Sequence, residues 1–312
     1  MQKDTGCLIW NTAALLIAYM AVAMPLPVIS IFVTKDLGLS NSLGGFAVGI
    51  VFLATILTRG FSGRFADRKG GKTCMTYGLF ICTAATLVCF AATRLTANPV
   101  QAFSLLIGGR LVLGLGESMA LVGMLSWNIA LLGPQRSGTV FSLVGASLYG
   151  AFAAGGPLGL LCIEKLGFSG FMLIFSPLPL LGWLMISRMP AVVPQSAGAK
   201  GSFVSVLGTI WRQGAIVCLQ GVGFAALGAF SSLSFASKGW RHAGLALTSF
   251  GIGFVGVRLF FSHLPDKLGG MRVAMASLQI AACGQLLLWL APSAEVALMG
   301  AFLTGTGCSL LY

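Results

Sequence analysis

The chain has 312 residues, of which 57% are hydrophobic and only 8% charged, with a mean hydropathy of +0.94 and a formal net charge of +12. A soluble domain carries about 25% charged residues, so this sequence cannot cover a water-facing surface and its principal solvent is lipid. The basic residues fall in short gaps between apolar runs, which is how a membrane protein distributes them, and binding to nucleic acid is excluded as the meaning of the charge.

Ten helices are expected, near residues 8–32, 43–64, 73–93, 102–126, 138–162, 167–187, 210–235, 244–262, 272–291 and 296–312. About 20 apolar residues cross a bilayer. In hydrocarbon each span must satisfy its own backbone groups, so these runs are helices, and the alternation of a membrane barrel is absent. The fold class is therefore an all-α membrane bundle. Residues 5–34 carry no charge, far longer than the roughly 7–15 residue core of a cleavable signal.

The first span contains Pro25 and Pro27, with Asn11 and Tyr19 among its few polar groups. Broken helices near the midplane line many transport sites. Asn11, Tyr19, Asn128, Gln220 and Gln279 are therefore candidate pore-lining groups, and the competing reading for each is an ordinary hydrogen bond between helices. Between the second and third spans lies the densest charge in the chain, Arg59-Gly-Phe-Ser-Gly63-Arg-Phe-Ala-Asp67-Arg68-Lys-Gly70-Gly71-Lys72. Gly63, one turn before Asp67, lets a neighbouring helix come close. Gly70 and Gly71 permit a tight turn, and Asp67 is placed to accept hydrogen bonds or face a helix N-terminus.

The fourth span carries Arg110-Leu-Val-Leu-Gly114-Leu-Gly116-Glu117. Ionisable residues inside a span are costly and functional by default. Seven residues apart, Arg110 and Glu117 share nearly one face but are about 10 Å apart along the axis, too far for a direct pair. They are candidates for solute or proton handling; the alternative is a structural charge reaching an interface. The fifth span is rich in Gly150, Gly155, Gly156, Pro157 and Gly159, tolerable in a membrane where neighbours satisfy freed backbone groups.

Residues 189–205 hold Pro190, Pro194, Gly198, Lys200 and Gly201 and read as a linker between a first half, 1–188, and a second, 206–312. The second half repeats the charged stretch 199 residues on, at Arg258, Asp266, Lys267, Gly269, Gly270 and Arg272. A half matching the first needs six helices, so the sequence is expected to stop within its tenth helix. With an inward N-terminus, thirteen Lys and Arg lie inside and five outside, which predicts a cytoplasmic N-terminus. The eight cysteines make no Cys-x-x-Cys pair and have no His cluster nearby, so no metal and no cofactor are expected. No span holds a metalloprotease, serine-hydrolase or paired-Asp arrangement, and an enzyme is not expected.

The pattern Gly63-x-x-x-Asp67-Arg68-x-Gly70-x-Lys72 resembles the signature between the second and third helices of the major facilitator superfamily. In the copy Ser262 replaces the glycine and the basic residue moves one place, to Arg272. Arg110-x-x-x-Gly114-x-Gly116 resembles that superfamily's fourth-helix motif, associated with proton transfer. The run Gly150 to Gly159 looks like its antiporter motif in the fifth helix, with one glycine after the proline where two are usual. The resemblance covers the whole chain and is nearest to bacterial permeases of the sugar and arabinose-efflux type.

It implies two six-helix halves rocking around a central site, a small-molecule solute, protons as coupling ion, a monomer in the bacterial inner membrane, and export by proton antiport. Glu117 would be the proton-linked acid, Arg110 its electrostatic partner or a solute contact. Asp67 would belong to a cytoplasmic gate whose partner, at the start of helix 11, lies beyond Tyr312. The alternatives are a proton symporter for uptake, a channel, and a non-transporting relative of such a transporter.

Overall fold

The computed structural model describes residues 2–192, 244–261 and 264–309, with scattered positions between 208 and 240. Every regular element among the described residues is helical. Among the described residues, six helices are long and apolar enough to cross a membrane: Leu8–Asp36, Asn41–Lys69, Gly71–Leu95, Pro99–Leu132, Ser137–Ser187, which the backbone divides, and Met271–Leu290. The chain separates into two compact units, Met1–Gln195 and Ser196–Tyr312. Most of the predicted linker lies outside the described residues.

In the first unit, α1 (Gln2–Ala23) stops before Pro25 and restarts as α2 (Leu26–Ile31), which runs into a π turn at Phe32–Asp36. Two prolines without N–H groups break the ladder there. Helix α3 (Asn41–Lys69) begins where the Ser40 hydroxyl accepts from the Leu43 N–H, at 3.3 Å. It ends at Gly70, whose φ of 90° only glycine adopts freely.

Helix α4 (Gly71–Ala92) starts at the next residue. The predicted second helix, ending near 64, is therefore too short: residues 65–69 are helix rather than loop, and the whole turn is Gly70. Charge had marked a boundary where the helix simply continues with polar side chains.

Helix α5 (Pro99–Leu132) is capped by Asn98, which accepts from the Gln101 N–H, with Pro99 in the first turn. Helix α6 (Ser137–Phe175) leaves helical geometry at Gly167 (φ 64°), and α7 (Leu178–Ser187) follows a second break at Pro177. The predicted sixth helix is thus in two pieces.

Helix α5 is central to the first unit. Helices α3 and α4 pack along it, while α1 packs against α6 and α7. The contact is backbone to backbone. A β-carbon on Gly109 would stand 3.1 Å from the Ala85 carbonyl oxygen, one on Gly116 2.8 Å from the Cys82 nitrogen, and one on Gly114 2.5 Å from the Val51 carbonyl oxygen. With no hydrophobic effect between helices in lipid, such close approach is what holds them.

The second unit contains α8 (Leu245–Phe261), α9 (Leu264–Leu268), α10 (Gly270–Leu290) and α11 (Ala294–Ser309). It repeats the same notches. Gly300 abuts Gly284 and Leu288, Gly305 abuts Phe250, and Gly307 abuts Ser277 and Ala281. These are the contacts of Gly109, Gly114 and Gly116 carried 191 residues along α11, with partners shifted by the same 199 residues as the charged stretch. The turn recurs as well, with Gly269 at φ 87°.

Candidate functional site

Glu117 is buried on α5, and its carboxylate is held from two other helices. The Tyr19 hydroxyl of α1 lies 2.8 Å from Oε1, and the Thr55 hydroxyl of α3 lies 3.3 Å from Oε2. Thr55 also reaches the carbonyls of Val51, at 2.9 Å, and Gly114, at 3.1 Å. One hydroxyl hydrogen serves three acceptors, so which of them it satisfies depends on whether Oε2 itself carries a proton. Gly114 makes this possible, because its missing side chain lets the α3 backbone come against α5 at Thr55.

Two turns earlier on α5, Arg110 is 1% exposed. Its Nε donates to the Ala47 carbonyl, at 3.0 Å, and its Nη2 to the Val48 carbonyl, at 3.1 Å. Nη1 has no hydrogen-bond partner among the described residues. Arg110 and Glu117 form no ion pair with each other, as their axial spacing requires, and both bind the α3 seam. A buried guanidinium with its Nη1 unmet and a carboxylate accepting two hydroxyls are high-energy groups in hydrocarbon. Arg59, exposed on α3, is within electrostatic reach of both Tyr19 and Glu117.

Further along, the seam stays polar. Ser62 of α3 donates to Ser118 at 2.9 Å, and at the separate contact of α1 with α5 Asn11 donates to Asn128 at 2.9 Å. The arrangement can hold a proton at a defined carboxyl and present a fixed positive charge two turns away.

The sequence model of the Major Facilitator Superfamily matches residues 12–312. The chain belongs to the major facilitator superfamily. It is 40% identical over its whole length to an uncharacterized MFS-type transporter of Salmonella typhimurium, of which it covers 80%. It is 36% identical, over 95% of its length and 72% of theirs, to uncharacterized MFS-type transporters of Burkholderia mallei and Burkholderia pseudomallei.

Among solved structures it is similar in fold to the human organic anion transporter MFSD10 (TM-score 0.70, 16% identity, 99% of this chain and 84% of that one). It is also similar to a D-xylose-proton symporter (TM-score 0.68, 14% identity, 97% and 79%). The protein is thus a multi-pass integral membrane protein of a transporter family, built as two pseudo-symmetric halves.

The superfamily's charged signature is laid out along the end of α3. Asp67 and Arg68 are exposed, and no hydrogen bond holds Asp67 among the described residues. Gly63 has nothing within 4 Å of where a β-carbon would stand, so no helix of the first unit uses it; Ser62 and Ala66 are the inward positions. Gly71 does pack closely, against the α5 backbone at Trp127.

In the copy, Arg258 donates to the Ser309 carbonyl at 3.0 Å, while Lys267 and Arg272 are exposed. Gly269 makes the turn, Gly270 begins α10, and Asp266 lies in α9.

The glycines of the antiporter-like run receive the broken first helix. Gly155 stands against Ala23 and Met24, and Gly159 against Met24, immediately before Pro25; Gly150 faces Leu16, Gly156 is buried and Pro157 sits inside α6. This is close packing of a kinked helix. Of the five polar candidates, Asn11, Tyr19 and Asn128 are buried in the interhelical bonds above, Gln279 is exposed on α10, and Gln220 lies outside the described residues.

Thr55 was missed by the sequence reading, as was Gln285, which reaches the Gly223 carbonyl at 3.3 Å. The counterparts of the polar strip in the second unit are Ala301 for Arg110, Cys308 for Glu117 and Phe254 for Thr55, with Ser309 matching Ser118.

Proposed function

We propose that this protein is a secondary transporter that exports a small solute in exchange for protons, with Glu117 as the acid that carries the proton. The observation behind this reading is the buried carboxyl of Glu117 held between hydroxyls of α1 and α3. Gain or loss of one proton there changes which hydrogen bonds tie three helices together. Such a link between protonation and helix contact is what coupling by alternating access needs. Arg110 is the fixed positive partner, and its unmet Nη1 is available to an anionic group of the solute.

The charged end of α3, with Asp67, acts in a gate on the cytoplasmic side. The N-terminus is cytoplasmic by the distribution of Lys and Arg, the membrane is the bacterial inner membrane, and the working form is a monomer of two halves joined by the 189–205 linker. Uptake by symport is the second reading, favoured by fold similarity to a D-xylose-proton symporter.

The test is transport in proteoliposomes containing the full-length protein, using labelled xylose and a set of labelled organic anions, with and without an imposed pH gradient. The gradient should drive solute movement, opposite in direction to the protons, and Glu117→Gln should remove its effect while leaving solute exchange measurable. Movement in the same direction as protons selects symport. Insensitivity to the gradient, or full coupling in Glu117→Gln, refutes the assignment of Glu117.

A further inference from the structure

Lys72 closes the charged stretch, and its side chain is engaged in something a transport cycle does not explain. Helix α7 ends at Ser187 without a following glycine; Arg188 closes it in the right-handed region, at φ −86° and ψ −1°. A helix end leaves carbonyls without partners, commonly satisfied by a left-handed glycine just beyond. Here the donor comes from another helix. Lys72 Nζ, at the start of α4, donates to the Ser187 carbonyl at 2.8 Å and to the Met189 carbonyl at 2.6 Å. Trp127 of α5, 1% exposed, donates from Nε1 to the Pro190 carbonyl at 3.2 Å. The Lys72 ammonium lies 5.9 Å from the centre of the Trp127 ring.

The two donors share one rigid junction. A β-carbon on Gly71 would stand 2.5 Å from the Trp127 backbone nitrogen, so α4 begins pressed directly on the end of α5. The lysine charge also meets the negative end of a helix, where it is favoured. The second unit uses similar chemistry: Lys238 donates to the Ala291 carbonyl at the end of α10, at 3.0 Å, and lies 4.5 Å from the centre of the Trp240 ring.

We propose that Lys72 and Trp127 are positioning residues that anchor the chain where it leaves the first unit, so that the segment beyond Pro190 starts from a fixed point on α4 and α5 rather than from a free end of α7. Lys72 is then a helix-end clamp within the charged signature. A solvated loop lysine would leave its ammonium in water rather than on two carbonyls.

Arg188 is exposed beside the anchored carbonyls, so trypsin reports on the anchor without any knowledge of the solute. Cleavage after Arg188 requires local opening, and its rate follows the opened fraction. In the full-length protein in detergent, Lys72→Met, which removes two charge-assisted bonds, and Trp127→Phe, which removes one buried bond, are each expected to raise that cleavage by about tenfold or more. Lys72→Arg, which keeps donors for both carbonyls, should restore the wild-type rate. Cleavage after the exposed Arg94 is the control and should not change. Wild-type cleavage after Arg188 in both Lys72→Met and Trp127→Phe overturns the proposal, and so does an equal rise after Arg94, which would mean general loosening. Glu117→Gln should leave the Arg188 rate unchanged, so the anchor and the proton assignment stand or fall separately.

Discussion

The seam between α3 and α5 makes a sharp prediction at Gly114. An alanine there would place its β-carbon 2.5 Å from the Val51 carbonyl oxygen, where ordinary contact starts at 3.4 Å, a shortfall of about 0.9 Å. The other near atoms are the Ala54 β-carbon, at 2.6 Å, and the Thr55 backbone nitrogen, at 2.9 Å. None belongs to a flexible side chain, so the helices themselves must part.

A separation of that size stretches the Arg110 bonds to Ala47 and Val48, now 3.0 and 3.1 Å, and the Thr55 bond to Gly114, now 3.1 Å, beyond hydrogen-bond range. Overpacking alone costs about 1–3 kcal/mol, and the gain in helix propensity from glycine to alanine offsets less than about 1 kcal/mol. With the buried bonds of Arg110 and Thr55 also lost, at about 1–3 kcal/mol each, Gly114→Ala should therefore be destabilised by at least about 1 kcal/mol. Gly108→Ala, on the same helix with nothing within 4 Å, should be neutral or slightly stabilised. Reversible unfolding of both variants in one detergent measures the difference. If Gly114→Ala is as stable as Gly108→Ala, the seam is not the close contact argued here.

The second unit should behave alike: Gly305→Ala, pressed against Phe250, should lose at least about 1 kcal/mol by the same unfolding measurement, while Gly256→Ala, in open space, should not. Tyr19→Phe and Thr55→Val each remove a hydroxyl donor from a buried carboxylate, and each should cost about 1–3 kcal/mol and weaken the response of transport to an imposed pH gradient. Thr55→Ser should retain both. Gly70→Ala and Gly269→Ala force a side chain into positive φ and should each cost about 1–2 kcal/mol, read as a lowered unfolding midpoint.

The sequence carried the spans because lipid demands them: a run without charge must be a helix, and a glycine pair after a basic run must turn. Arg110 and Glu117 were visible for the same reason, as charges where charge is expensive. Their partners were not. Thr55 is an unremarkable threonine in an apolar helix, where hydroxyls routinely bond their own backbone, and nothing in its neighbourhood marks that it also faces an acid 62 residues away.

The partners of Lys72 are carbonyls, which have no signature in sequence at all. The end of α3 was misplaced because charge was read as loop, whereas a helix leaving the membrane keeps its hydrogen bonds and only changes its side chains. The Gly305-x-Gly307 echo of Gly114-x-Gly116 stood in the sequence, hidden because the arginine and acid that draw the eye are replaced by Ala301 and Cys308.

The matching notches in the two units separate scaffold from chemistry. Three glycine notches and one glycine turn can be duplicated and kept in register by backbone contact alone, leaving the side chains between them free to diverge. One copy carries a buried strip with an arginine and an acid, and the other a strip with Ala301 and Cys308 in their places. A homologous frame of this kind can gain or lose a coupling ion through a few substitutions while its helices stay where they are, so members with nearly superposable bundles need not share a coupling ion or a cargo.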